Sequence, residues 1–90
     1  MRYAIRVSRR ADKALELLDR VIAPRILDRI DQLGENPLDA RLSKELETVK
    51  GQRYSRIGDW RIIYEVREND GMLFVVTIQH RSKVYRDLKK

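Results

Sequence analysis

The side chains of this 90-residue chain that are able to do chemistry are mostly cationic. Arg56 and Arg61 flank a Gly58-Asp59 pair. Further on, His80-Arg81-Ser82-Lys83-Val84-Tyr85-Arg86 sets three fixed cations beside the only histidine and a tyrosine. There is no cysteine, no glycine-rich phosphate loop and no serine in a nucleophile motif. A bound metal needs several His, Cys or clustered carboxylates, whereas Asp59 and Asp70 sit in turn sequences. A two-histidine ribonuclease is excluded, because His80 stands alone. Arginine, lysine and tyrosine remain. Those residues suit cleavage of RNA by its own 2′-hydroxyl, with arginines positioning the phosphate and stabilising its developing charge. Proton transfer then falls to Tyr85, His80, a lysine or the substrate itself. Neighbouring cations would favour the phenolate of Tyr85. The competing role for that ring is to pack the tail onto the sheet.

The elements that must position these groups follow from periodicity. Tyr3, Ile5 and Val7 alternate as a first strand. Ser8 offers an N-cap, and Ala11, Ala14, Leu15 and Leu18 follow at helical spacing. Pro24 suits the first turn of a second helix whose stripe is Ile22, Ile26, Leu27, Ile30 and Leu33. Gly34-Glu35-Asn36-Pro37 is expected to stop it, with glycine as the cap. The two helices form a hairpin. Asp39 to Gly51 is polar, with Leu42, Leu46 and Val49 as anchors around a short helical turn. A β-meander completes the chain: Arg53–Ile57, the turn Gly58-Asp59, a strand carrying Trp60, Ile62, Tyr64 and Val66, the turn Asn69-Asp70-Gly71, and Met72–Gln79. The expected class is α+β, in the order β-α-α-β-β-β. The N-terminal strand and helical hairpin pack on one face of a small, mainly antiparallel sheet. Residues 1–90 are read as a single domain.

Strand alternation then sorts the candidates by face. Trp60, Ile62, Tyr64 and Val66 meet the helices, so Arg61, Ile63, Glu65 and Arg67 look outward. A two-residue Gly58-Asp59 turn sets Arg56 opposite Arg61. Two adjacent cations destabilise the sheet unless a bound phosphate neutralises them, the guanidiniums splay into water, or Glu65 pairs with one. A three-residue turn at Asn69-Asp70-Gly71 puts Gln79 and Arg81 on the Arg61 face and sends Phe74, Val76 and Ile78 to the core. A two-residue turn would bring His80 to that face instead. Twenty Lys and Arg against 14 Asp and Glu leave a net charge of +6, which fits a polyanionic partner or solubility alone. The absence of cysteine is compatible with the cytosol. Met1 to Val7 is too short and charged for a signal peptide, and no apolar run approaches the ~20 residues of a membrane span.

Two stretches carry a resemblance to a known family. Tyr54-Ser55-Arg56-Ile57-Gly58-Asp59-Trp60-Arg61-Ile62-Ile63-Tyr64-Glu65-Val66 resembles the hallmark run of the RelE-like toxins of the RelE/ParE superfamily. His80-Arg81-Ser82-Lys83-Val84-Tyr85 is similar to that family's C-terminal His-Arg-x-x-Val-Tyr motif. The resemblance implies the toxin of a type II toxin–antitoxin system, cutting mRNA in the ribosomal A site without metal or other cofactor. It implies as partners the ribosome, mRNA and a RelB-like antitoxin encoded nearby, with operator DNA reached only through the antitoxin. Carried over by position, Arg61 and Arg81 stabilise the scissile phosphate and Tyr85 transfers a proton. Arg56, Lys50, Arg53, His80 and Lys83 complete the phosphate-binding set. The chain departs from the family at Glu47 and Tyr54, where basic residues are common, and Lys50 and Arg53 lie close enough to compensate. Glu47 reads as a general base or as a solvated loop acid. Two alternatives stay open: a ParE-like DNA gyrase poison on the same fold, and a non-catalytic basic RNA- or DNA-binding module.

Overall fold

A computed structural model of the chain describes residues 2–82. The elements are β1 (Ala4–Val7), α1 (Arg9–Leu17), α2 (Ile22–Glu35), β2 (Lys44–Glu45), β3 (Gln52–Ile57), β4 (Trp60–Arg67) and β5 (Met72–His80). The strands form one sheet in the order β1-β5-β4-β3-β2. Only the β1–β5 pairing is parallel. The expected α+β class and element order hold, with β2 as an addition. Where a helical turn is expected between Asp39 and Gly51, the chain forms turns around this two-residue strand.

Ser8 links the first strand, the first helix and the sheet. Its Oγ accepts from the Ala11 amide at 3.0 Å and caps α1 as expected. The same hydroxyl donates to the Val76 carbonyl at 2.6 Å. Asp19 lies in the turn before α2, its Oδ1 accepting from the Val21 and Ile22 amides, each at 2.9 Å. Ile26, Ile30 and Leu33 are buried, but Leu27 is exposed and leaves the expected stripe. Gly34 does not cap the helix. It lies inside the last turn, where a Cβ would meet Ile5 Cδ1 at 2.9 Å, so its bare backbone lets β1 approach α2. Its carbonyl accepts from the Tyr3 amide at 2.8 Å.

The core lies between the helices and one face of the sheet. It is built from Ala11, Ile26, Ile30 and Leu33 against Ile57, Ile62, Tyr64, Leu73, Val75 and Ile78. Phe74 and Val76 were expected there and are only half-buried, on account of the β4–β5 turn and a bulge. Arg67 pairs with Met72, so residues 68–71 form a four-residue turn rather than three. That sends Leu73 and Val75 inward. A bulge then leaves Val76 without a partner between the pairs Ile63–Thr77 and Tyr64–Val75. The register shifts by one, and Ile78 returns to the core opposite Ile62. Ser8 supplies the hydroxyl that the bulged Val76 carbonyl accepts.

A buried polar network secures the segment before β3. The Tyr64 hydroxyl lies 2.5 Å from the Pro37 carbonyl oxygen and 2.6 Å from Ser43 Oγ. With a single proton, it donates to the carbonyl and leaves Ser43 to donate to it. Ser43 Oγ also accepts from Arg53 Nε at 3.1 Å and Nη2 at 3.0 Å. Ser55 Oγ donates to the Leu42 carbonyl at 2.6 Å. These bonds fix the loop that leads into β2 and hence the edge of the sheet.

Candidate active site

The Gly58-Asp59 turn has the expected two residues. Gly58 takes the positive φ of +56°, and Ile57 pairs with Trp60 and Arg56 with Arg61. Ile57 and Ile62 are buried, so alternation puts Arg56 and Arg61 on the face away from the helices. Neither arginine makes an ion pair with a described residue. Glu65 does not neutralise them; it accepts from Gln52 Nε2 at 3.0 Å and Arg67 Nη2 at 3.4 Å. The guanidiniums are kept on separate partners instead. Arg56 Nε donates to the Gly58 carbonyl at 3.3 Å, and Arg61 Cζ lies 4.8 Å from the centroid of the Tyr54 ring. A cation over an exposed ring stabilises by about 0.5–1 kcal/mol. Like charges directly opposite cost a similar ~0.2–1 kcal/mol. Arg61 is thus held over Tyr54 with no counter-charge among the described residues, which leaves its positive charge available to an anion.

The end of β5 returns to the same turn. Gln79 lies opposite Arg61. The Arg81 amide donates to the Asp59 carbonyl at 2.6 Å, and its guanidinium stands 3.8 Å from Asp59 Oδ1. Arg56, Arg61 and Arg81 therefore gather around one hairpin tip. His80 lies on the other face, opposite Trp60, with the two rings edge to face at 5.0 Å. Its Nδ1 accepts from the Ser82 amide at 3.2 Å and lies 3.0 Å from the Ser82 hydroxyl. Arg53 also lies on the helix side, paired with Tyr64 and bonded to Ser43. Lys50 stands at the opposite end of β3, in the turn before Gly51. The structure therefore does not bring Arg53, His80 or Lys50 to the Arg56–Arg61 face. Lys83 and Tyr85 lie outside the described residues.

Two participants at this face were not legible as such. Tyr54 stood out in the sequence only as a departure from a basic position, and it proves to be the platform under Arg61. Alternation with Arg56 in the same strand was the available signal. Lys44 pairs with Tyr54 across β2 and β3, but a two-residue strand leaves no periodicity to read. In the preceding loop, the Arg41 side chain and amide hold the Asp39 carboxyl below its ordinary range, and Arg41 is raised in turn. Among the described residues, no three His, Cys, Asp or Glu are grouped to hold a metal ion. No described helix is long and apolar enough to cross a membrane.

The model of the ParE toxin of type II toxin–antitoxin systems, parDE, matches residues 5–85. The chain belongs to this ParE toxin family. Among curated proteins no sequence matches it significantly. Solved structures of RelE toxins share its fold. The RelBE2 toxin–antitoxin complex of Mycobacterium tuberculosis superposes with a TM-score of 0.78 at 23% identity, over 90% of this chain and 100% of that one. The archaeal RelE–RelB complex of Pyrococcus horikoshii OT3 gives 0.78 at 25% identity, over 92% and 99%. The isolated E. coli RelE toxin gives 0.76 at 19% identity, over 97% and 95%. The strand–helix–helix–strands order of the ParE-family chain is that of these RelE structures.

Proposed function

We propose that this ParE-family toxin is a RelE-like endoribonuclease that cuts mRNA on the ribosome and so inhibits translation. One observation carries the reading: Arg56 and Arg61 sit side by side on the open sheet face without a carboxylate between them, and Arg81 joins them at the hairpin tip. A phosphodiester supplies the negative charge that Arg56 and Arg61 lack among the described residues, whereas Arg81 already faces Asp59. In the reaction the RNA 2′-hydroxyl attacks the adjacent phosphorus and the 5′-oxygen leaves. Arg61 and Arg81 stabilise charge on the non-bridging oxygens, and Arg56 helps to hold the phosphate. Tyr85 or His80 moves the proton. The geometry of His80 against Trp60 favours Tyr85, because the imidazole lies on the other face from Arg61. No step requires a metal.

The partners in this reading are the ribosome, its mRNA and a RelB-like antitoxin, of the kind found with the RelE chains of M. tuberculosis and P. horikoshii. An acidic antitoxin would complement the +6 chain and associate at a salt-dependent rate. The match to the ParE model favours a second reading, a DNA gyrase poison on the same scaffold.

The test compares ribosome-dependent cleavage with gyrase supercoiling for the wild type and Arg61→Ala. Loss of Arg61 should weaken transition-state stabilisation by about 2.7–4 kcal/mol, a fall of ~10²–10³ in cleavage, with folding retained. Wild-type protein that blocks supercoiling and leaves programmed ribosomes uncut would replace this reading with the second.

A further inference from the structure

Beside Tyr54 the edge of the sheet forms a second basic feature. Arg29 of α2, Arg41, Lys44, Tyr54 and Arg56 line a cleft of about 250 Å³, and no carboxylate is among its lining residues. Arg41 is answered by Asp39 outside the cleft, whereas Lys44 and Arg56 make no ion pair with a described residue. Arg29 is fixed from behind. Its Nε donates to Gln32 Oε1 at 3.1 Å, and its Nη1 donates to Ser55 Oγ at 2.8 Å and to the Arg56 carbonyl at 3.2 Å. These bonds occupy one side of the fork and leave Nη2 as the remaining donor. A guanidinium held in this way loses little freedom on meeting an anion.

We infer that this cleft is a second RNA-phosphate subsite, taking a backbone phosphate of the single strand next to the phosphate held by Arg56 and Arg61. Arg56 is shared between the two sites, since it lines the cleft and faces Arg61. Tyr54 divides them, with Arg61 against its ring on one side and the cleft on the other. The volume is below the ~300–1,000 Å³ of ordinary ligand clefts and suits a phosphate with its sugar. Phosphate contacts of this kind set register and orientation rather than sequence. The inference rests on one part of the proposed function, that the neighbouring site holds RNA, and not on the cleavage step.

The experiment measures binding of a short, fluorescein-labelled, 2′-O-methylated RNA that cannot be cleaved, by anisotropy across a salt series. Each phosphate contact to a single strand contributes about 0.7 to the slope of log affinity against log salt. Lys44→Gln should lower that slope by about 0.7, and Lys44→Arg should restore it. Arg41→Gln should lower it less, since Asp39 already holds its charge. Lys13→Gln, on the exposed side of α1, should leave it unchanged. Lys44 makes no side-chain bond to a described residue, so its variants should fold. A Lys44→Gln slope equal to wild type overturns the subsite, as does the same Lys44 dependence on duplex DNA of equal length. Cleavage of programmed ribosomes is read on the same preparations. A Lys44-dependent slope without cleavage rejects the nuclease reading and keeps the RNA subsite, and cleavage with a Lys44-independent slope does the reverse.

Discussion

Arg56→Gln should stabilise this toxin while weakening its activity. The arginine faces Arg61 across the hairpin, and the only side-chain hydrogen bond it donates to a described residue is 3.3 Å to the Gly58 carbonyl at an exposed turn. Removing its charge relieves a like-charge pair that costs ~0.2–1 kcal/mol. Losing the long, solvated hydrogen bond offsets a few tenths of that. A net gain of about 0.3 kcal/mol follows, which raises the melting temperature of a domain this size by about 1–2 °C. Arg29 bonds the backbone carbonyl of residue 56, so the strand stays anchored in the variant. The assay is thermal melting at low salt and again at 1 M salt, where the screening length of ~3 Å removes most of the effect. Arg56→Lys keeps the charge and should show no gain. Ribosome-dependent cleavage by Arg56→Gln should fall at the same time. A variant that melts below wild type at low salt, or that keeps its gain at 1 M salt, would refute the idea that the pair is held against electrostatic cost.

Tyr64→Phe keeps the buried ring but leaves the Pro37 carbonyl and the Ser43 hydroxyl short of a partner, at a cost of about 1–3 kcal/mol in denaturant melts. A wild-type midpoint would show that water replaces the phenol. The Asp39 carboxyl is depressed first by its side-chain bond from Arg41. Its contribution is therefore full above the ordinary carboxylate pKa and lost as pH falls through the lower folded value. Asp39→Asn should flatten the stability–pH curve in that acidic window, and an unchanged curve there would count against the assignment. Tyr85→Phe should slow single-turnover cleavage by ~10²–10⁴ if the phenol transfers the proton. Abolition by His80→Ala with normal Tyr85→Phe would move that role to the imidazole.

Features set by a single residue were legible in the sequence; those set by two compensating ones were not. Ser8 was readable as a cap because a short hydroxyl side chain before an apolar helical pattern has few other roles. The Gly58-Asp59 hairpin and its Arg56–Arg61 pair were readable because a two-residue loop fixes register. On β5 the expected placement of Gln79 on the Arg61 face holds for another reason than the one expected. The turn is one residue longer, which flips the faces of Leu73 to Val75, and the bulge at Val76 flips them back before Gln79. An unbroken run from Met72 to Val76 is apolar on both faces, so alternation could not locate the bulge. Gly34 was read by its position near a helix end, but the neighbour that requires a glycine is Ile5, remote in sequence. Arg53 was read by charge, whereas register sends it to Ser43.

The residues that set the sheet's geometry, among them Ser8, Gly58, Ser43 and Tyr64, lie in turns or on the helix side. Arg56 and Arg61 lie on the open face and contribute little to holding the chain together. A family can therefore exchange one activity for another on that face without altering the core. Fold similarity at 19–25% identity to RelE structures is accordingly silent on the choice. Basicity is silent too, because Arg29 and Arg53 are cations with structural duties. Arg29 bonds Ser55 and the Arg56 carbonyl, and Arg53 bonds Ser43. Their replacement would loosen the loop and the sheet edge and lower any activity, whether on RNA or on gyrase. Only substitutions on the open face that leave the melting curve in place separate the two chemistries, and Arg61 meets that condition because its partner is an aromatic ring rather than a buried bond.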